Sequence, residues 1–240
     1  MIIAYEFLSD AAAVNAATED TNFPVANVKD RFLTVRYKPT AVTSQYVDFD
    51  FGADTSISCL CMASNLTSLA TITVQHDDKA AFTSPTTIAI TETGETIFET
   101  FTAASDRYWR VNISDASLAE IQVGRLTLGN FYTMPDVSIR PTVEYGTTAQ
   151  VRFSNSGQAH GVSGYEYRIY DVTFQNPTNA QRKEVEAIFK SLKNYNPFFA
   201  DVFGDGTFPP AYVTIDQDSL SVTVQSYGGY SFNLQLREVY

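Results

Sequence analysis

Only one stretch of these 240 residues carries the periodicity of an amphipathic helix, and that scarcity sets most of what the chain can fold into. Thr178 followed by Gln181 forms a T-x-x-Q capping box, with Pro177 just ahead of it. Val185, Ile188, Phe189 and Leu192 then recur at i, i+3, i+4 and i+7, a single apolar stripe, while Arg182, Lys183, Glu184, Glu186, Lys190 and Lys193 fill the other faces. Asn194 and Pro197 supply a stop, so the pattern predicts a helix over about 179–193. Upstream, Tyr165, Tyr167 and Ile169 share one strand face and Tyr170, Val172 and Phe174 the other, a phase change expected of a bulge or of a strand buried on both faces.

The remaining pattern is that of strands. Ile2 to Leu8 reads as a strand. The Ala-rich 11–20 fits helix or loop, and 22–39 is irregular, broken by Pro24 and Pro39. VDFDFGA (47–53) alternates and stops at Gly52, SISCLCMAS (56–64) is apolar on both faces, and TITVQHDD (71–78) alternates again. Ile88 and Ile90 precede the turn 91–94, and Ile97, Phe98 and Phe101 follow it. RYWRVNIS (107–114) places Trp109, Val111 and Ile113 inward, and IQVGRLTLG (121–129) shifts phase at Gly124, as at a bulge. Some eight short strands with almost no helix make a mainly β fold: a β-sandwich or jelly roll over 1–135, then a β domain with one α-helix over 136–240. In that second part SNSGQAHGVSG (154–164) reads as a loop, and Leu220, Val222 and Val224 face Tyr230, Phe232, Leu234 and Leu236 across a hairpin. A three-residue loop at 227–229 would set Val224 against Phe232 and Val222 against Leu234.

Charge and composition exclude several functions. A net charge of −11 argues against nucleic acid and anionic membranes, because phosphate contacts need clustered Lys and Arg. No apolar run is long enough for a membrane span, and MIIAYEFLSD lacks the basic start of a signal peptide, so synthesis in the cytoplasm is expected. Cys59 and Cys61 point to one side of a strand and are expected as a reduced, buried pair. No cofactor or metal is implied, and no G-x-S-x-G, P-loop, G-x-G-x-x-G or H-E-x-x-H motif occurs.

His76, beside Asp77 and Asp78, and His160 lack a nucleophile at a recognisable spacing. Asp48 and Asp50 suit either an acid–base or calcium pair or plain outward charges. Asp201, Asp205, Asp216 and Asp218 lack an EF-hand order. The chain reads as no enzyme. Its densest unexplained feature is aromatic: Tyr195, Phe198, Phe199, Phe203 and Phe208 crowd into 195–208, either as a protein interface or packed inside their own domain.

Three segments in order resemble phage tail proteins that begin with a galactose-binding-like, discoidin-type jelly roll. They are NFPVANVKDR (22–31) followed by VDFDFGA, ASNLTSLATITVQHDD (63–78), and RYWRVNISDASLAEIQVGRLTLGN (107–130). The second half, with YRIYDVTFQNPTNAQRKEVEAIF (167–189) and then NPFFADVF (196–203), resembles the continuation of the same proteins. The resemblance implies a structural component of the virion at the distal tail or tail tip, without enzymatic activity. It implies a ring of three or six copies that also contacts other tail proteins. Because the family's jelly roll sometimes binds sugars, it leaves open a carbohydrate-binding module that contacts host glycans at the cell envelope.

Overall fold

A computed structural model describes residues 1–135, 141–153, 156, 158–204, 206–224 and 229–239. Asp205, Tyr227 and the side chain of His160 lie outside the described residues. In chain order the elements are β1 (Ile2–Glu6), β2 (Ala13–Ala16), β3 (Gln45–Ser64), β4 (Thr71–Asp77), β5 (Thr86–Ala89), β6 (Thr96–Ser114) and β7 (Val123–Thr133). There follow β8 (Thr142–Thr147), β9 (Gln150–Phe153), β10 (Ala159–Val162), β11 (Glu166–Gln175), α1 (Asn179–Leu192), β12 (Phe198–Asp201), β13 (Ala211–Ile215), β14 (Val222–Val224) and β15 (Tyr230–Glu238).

The chain forms two compact units. The first comprises Ile2–Thr133 and Phe198–Tyr212, the second chiefly Met134–Pro197 and Val213–Val239. The expected contiguous division at 135/136 is therefore corrected: the chain returns to the first unit for Phe198–Tyr212. Periodicity cannot show such a return, because strand pairing at that separation leaves no local mark.

In the first unit the pairs among β1–β7 and between β1 and β12 are antiparallel. Two long strands, β3 and β6, run side by side and change course at shifts between Asp50 and Thr55 and between Ile57 and Cys59, near Gly52 at φ 78°. Their halves therefore belong to two layers. One half of β3 pairs with β2, and β4 and β5 extend β6 on that side. The other half of β3 pairs with β7, which pairs with β1, and β1 with β12. Val47, Phe49, Leu60 and Met62 of β3, Ile97, Trp109, Val111 and Ile113 of β6, Ile72 and Val74 of β4, and Leu126 and Leu128 of β7 close on one core, all at or below 2% exposure. The unit is an antiparallel β-sandwich. The stretches expected to be separate strands at 47–53 and 56–64 are thus one bent strand, and part of the Ala-rich 11–20 is β2, neither helix nor loop. The bulge expected at Gly124 is present as a shift where Ala63 and Ser64 face β7.

A second set of buried groups lies on the other face of β7. Arg125, 1% exposed, makes two bonds to Asp10, also donates to the Lys29 carbonyl, and stands 4.6 Å over the Phe7 ring. Cys59 and Cys61 are free and buried as expected, and burial pushes the Cys61 thiol up. An alanine Cβ at Gly129 would meet the Glu6 carbonyl at 2.6 Å, so only glycine lets these backbones approach.

The second unit is built on β15, which pairs antiparallel with β11, β13 and β14, while β11 pairs with β8. Tyr170, Val172 and Phe174 oppose Leu236, Leu234 and Phe232, and all six are buried. The phase change expected as a bulge or a doubly buried strand is neither. Both β11 ladders run without a shift, and Tyr165 is 75% exposed. Tyr167 lies on the outer face, over Gly146 and under the Arg237 guanidinium at 4.0 Å. The helix matches its prediction to within a residue. Thr178 accepts from the Gln181 amide and Gln181 reaches back to Thr178, and Val185, Ile188 and Leu192 are buried. Arg182 pairs with Glu186 one turn on.

The C-terminal hairpin needs a correction in register. Val222 pairs with Phe232 and Val224 with Tyr230, two residues from the expected pairing. Apolar still faces apolar, because a two-residue slip keeps the face. Part of the stretch expected as a loop at 154–164 is instead β10, which pairs with β9.

Candidate functional site

On the outward face of the first unit, strand pairing sets polar side chains in rows. Asn15, Asp48, Arg110, Gln75 and Thr87 stand opposite one another across five strands, and Tyr46, Asn112 and Thr73 form the next row. Asp48 and Asp50 are held neither as an acid–base pair nor as calcium ligands. Asp48 takes Arg110 at 2.6 and 2.9 Å, and Asp50 takes Arg107 at 2.7 and 2.9 Å. The Arg107 guanidinium holds the Asp50 carboxyl below the usual range, and Asp48 raises Arg110 further. Two-point pairing of this kind fixes both partners and leaves the row electrically neutral.

Arg110 is further clamped between rings. Its guanidinium carbon lies 3.9 Å from the Tyr46 ring centre and 4.2 Å from that of Phe82. Phe82 comes from the loop between β4 and β5, whose ends Asp77 ties by accepting from the amides of Lys79 and Ser84. It does so at φ 48°, a left-handed conformation that costs a residue with a Cβ about 1–2 kcal/mol. A guanidinium–ring stack contributes about 0.5–2 kcal/mol. Strain and stack are of similar size, so the ring is held over Arg110 by a small margin.

His76 is a core residue. Its Nδ1 lies 2.5 Å from the Asp106 carboxylate, its ring stacks on Trp109 at 4.8 Å, and Trp109 donates to the Asp106 carbonyl. Asp106, and not the adjacent Asp77 or Asp78, is its partner, and no hydroxyl or thiol is hydrogen-bonded to it among the described residues. His, Cys, Asp and Glu form no metal-holding group among the described residues.

The aromatic stretch divides. Phe198 and Phe199 are 1% and 0% exposed, packed inside the first unit, where Phe199 meets Phe7 at 6.2 Å and Tyr212 at 4.7 Å. These two are corrected from interface to core, since Phe198, Phe199 and Ala200 are all buried and both faces of β12 are therefore covered. Burial raises the Tyr212 hydroxyl to about 12. Phe203 and Phe208 are half-buried, with ring centres 4.8 Å apart and planes tilted by 31°. Tyr195 belongs to the second unit and is 53% exposed.

Phe208 also lines an open cleft of about 360 Å³ in the first unit, with Pro209, Pro210, Thr93, Thr96, Glu92 and Asp201. Gly204 and Gly206, at φ 68° and 73°, turn the chain around its rim. Glu92 accepts from the Phe98 amide at 3.0 Å and Asp201 from the Gly204 amide at 2.8 Å. Burial pushes the Glu92 carboxyl up, and the charges of Glu99 and Asp201 add to it. An apolar wall facing two carboxylates and two hydroxyls can lie against the C–H face of a sugar ring and accept from its hydroxyls. Sequence reasoning missed Glu92 as a cleft residue, because its place depends on the return of the Phe198–Tyr212 segment.

The second unit differs. Tyr145, Val151, Val162, Tyr165, Tyr195 and Val224 are 53–75% exposed, six of the nine exposed large apolar side chains among the described residues. Among the described residues β9 and β10 pair only with each other, and a two-stranded ribbon is marginal in water by itself.

No protein-family description matches this sequence, and no curated protein matches it. Among solved structures the chain is similar to chitosan-binding module 1 from a chitosanase/glucanase of Paenibacillus sp. IK-5, at 18% identity over 52% of this chain and 99% of that one, with a TM-score of 0.45. It is similar to the CBM32 of AlyQ, solved with 4,5-unsaturated mannuronic acid, at 21% identity over 52% and 95%, TM-score 0.41. A third is the family 32 CBM of C. perfringens NanJ, solved with galactose, at 10% identity over 55% and 100%, TM-score 0.41.

Proposed function

We propose that this chain is a non-enzymatic structural protein of a bacteriophage tail, of the distal or tail-tip kind, which assembles with copies of itself and with other tail proteins through its second unit. The observation that carries the reading is the uneven exposure of apolar side chains. Among the described residues six large ones stand in solvent on the smaller unit, two of them, Val151 and Val162, on a ribbon whose strands pair there only with each other. Exposed apolar groups gathered on one unit mark a surface completed by a partner. The ordered resemblance of 22–31, 63–78 and 107–130 to tail proteins names the kind of assembly, a ring of three or six copies in the virion tail. The chain is made in the host cytoplasm, and its −11 charge keeps free subunits apart until they assemble. Antibody labelling of purified phage particles tests this: label at the tail tip is expected, and particles free of the protein overturn it.

A second reading, glycan binding by the first unit, is favoured by the cleft that Phe208 walls. Full-length protein on a glycan array is expected to bind neutral oligosaccharides, and Phe208→Ala to lose them. An array with no bound glycan ends that reading and leaves the assembly reading standing.

A further inference from the structure

We infer that the loop carrying Arg31 and Phe32 docks into the Phe208 cleft of a second copy of this chain, with the Arg31 guanidinium between Glu92 and Asp201 and the Phe32 ring against the Phe208–Pro210 wall. The inference rests on the assembly reading and adds a contact of the first unit to the surface of the second. Three observations carry it.

First, the loop presents a cation and a ring together and is already rigid. Arg31 is exposed, Phe32 is 56% exposed, and the guanidinium carbon lies 4.9 Å from the Phe32 ring centre. The guanidinium makes no hydrogen bond or ion pair among the described residues. The backbone beneath is fixed at four points. Asp30 accepts from the Phe32 amide at 2.8 Å, the Val35 amide donates to the Phe32 carbonyl at 3.0 Å, and the Tyr212 hydroxyl donates to the Arg31 carbonyl at 3.2 Å. The Leu33 carbonyl lies so close on β7 that an alanine Cβ at Gly124 would meet it at 2.7 Å. A side chain displayed on fixed backbone loses little freedom on binding, and arginine and aromatic rings are the side chains that most often anchor interfaces.

Second, the cleft has the complementary shortage. Its two charged lining residues, Glu92 and Asp201, are both carboxylates. Glu92 spends Oε2 on the Phe98 amide and Asp201 spends Oδ1 on the Gly204 amide, and the second oxygen of each has no partner among the described residues. Asp10, Asp48 and Asp50 in the same unit each hold an arginine, and these two do not. A guanidinium entering between them would face two bare oxygens with an apolar wall at its side.

Third, the charge is unevenly spread. Residues 29–38 carry a net +3 in a chain of −11, which leaves −14 on the other 230 residues. Like copies therefore repel except where this loop meets an acidic surface. Loop and cleft are different patches of one unit, so their meeting is a head-to-tail contact, the kind that closes a ring.

Sedimentation velocity of the full-length chain is the assay, with near-ultraviolet dichroism as the fold check. The variants are Arg31→Gln and the pair Glu92→Gln with Asp201→Asn, whose amides keep an oxygen to accept from Phe98 and Gly204. Each is expected to weaken assembly about tenfold, and all three substitutions together to weaken it no further, because they remove one contact. In the variant Arg31→Lys, a carbodiimide joins the new amine to a touching carboxylate as an amide, with loss of water. Mass spectrometry of mixed nitrogen-15-labelled and unlabelled copies is expected to find that amide at Glu92 or Asp201 of the other copy.

Losses that multiply in the triple variant, or amides formed only within one copy, overturn the pairing. Arg31→Gln that assembles as tightly as wild type overturns it too, and leaves the assembly reading standing if the second-unit serine variants still dissociate. Glycan binding lost in Glu92→Gln with Asp201→Asn, while assembly is unchanged, gives the cleft to sugar instead. A wild-type chain that never assembles overturns both readings of the contact.

Discussion

Both units pair carboxylates with arginines, as Arg168 pairs with Glu238 in the second, but they differ in how they cover their large apolar side chains. In the first, carboxylates and guanidinium groups meet in two-point pairs, Asp10 with Arg125, Asp48 with Arg110 and Asp50 with Arg107, and Phe198 and Phe199 are drawn inside. In the second, a short sheet and one helix bury Tyr170, Val172, Phe174 and Leu236 but leave Tyr145, Tyr165 and Tyr195 in solvent. A small sheet with one helix has too little interior to cover every ring. Among the described residues the second unit, though the smaller, leaves six large apolar side chains exposed against three in the first.

The largest expected effect is in the first unit. Trp109 is fully buried between His76 and Phe101, so Trp109→Ala is expected to cost about 3–5 kcal/mol, read by urea denaturation of the intact chain. A loss under 1 kcal/mol would break the contrast, since the first core would then be as loose as the second surface.

Next come two glycines that sharpen it. Gly129→Ala drives a Cβ to 2.6 Å from a backbone carbonyl, and a loss of about 1–3 kcal/mol is expected. Gly146→Ala meets the far end of the Tyr167 ring at 2.5 Å, and that ring can swing away, so a loss below about 1 kcal/mol is expected. The reverse order would show that the second unit is the stiffer one.

How much of this was legible depended on range. The helix was, because Thr178, Gln181 and the Val185–Ile188–Leu192 stripe are local signals. So was the inward face of Trp109, Val111 and Ile113, and the buried thiols of Cys59 and Cys61. The Arg110 partner of Asp48 was within reach, because both fall on outward phases of alternating strands; the Arg107 partner of Asp50 was not, because Arg107 falls on the phase of Trp109. The hairpin register slipped by two residues because parity of faces does not fix loop length. The return of Phe198–Tyr212 to the first unit, and with it the cleft, left no trace in local pattern.

A smaller effect is set by pH. Burial raises the Asp115 carboxyl, but bonds from Ser117 and Thr67 more than offset it and bring it to about 2. A depressed carboxyl stabilises the fold above its unfolded value and loses that contribution as pH falls from about 4 to about 2. Glu92 runs the other way, because burial raises it: its contribution is present below about 4.5 and is lost as pH rises through its higher folded value. Asp115→Asn is expected to flatten the acid limb of the stability curve, while Glu92→Gln flattens the limb above it. An unchanged acid limb in Asp115→Asn would show that the bonds from Ser117 and Thr67 to Asp115 do not stabilise the fold.

The smallest effect on stability belongs to the second unit's surface. Val151→Ser, Val162→Ser and Tyr195→Ser should each shift urea midpoints by no more than about 0.5 kcal/mol, since the side chains are already in water.

The central claim is that this same surface makes the assembly. Sedimentation velocity of the full-length chain over a rising concentration series tests it, comparing wild type with a variant carrying Tyr145→Ser, Val151→Ser, Val162→Ser and Tyr195→Ser. The account predicts a discrete closed oligomer of three or six copies for wild type, and a folded monomer for the variant. A wild-type chain that stays monomeric at the highest concentration, or a variant that assembles as well as wild type, would contradict it.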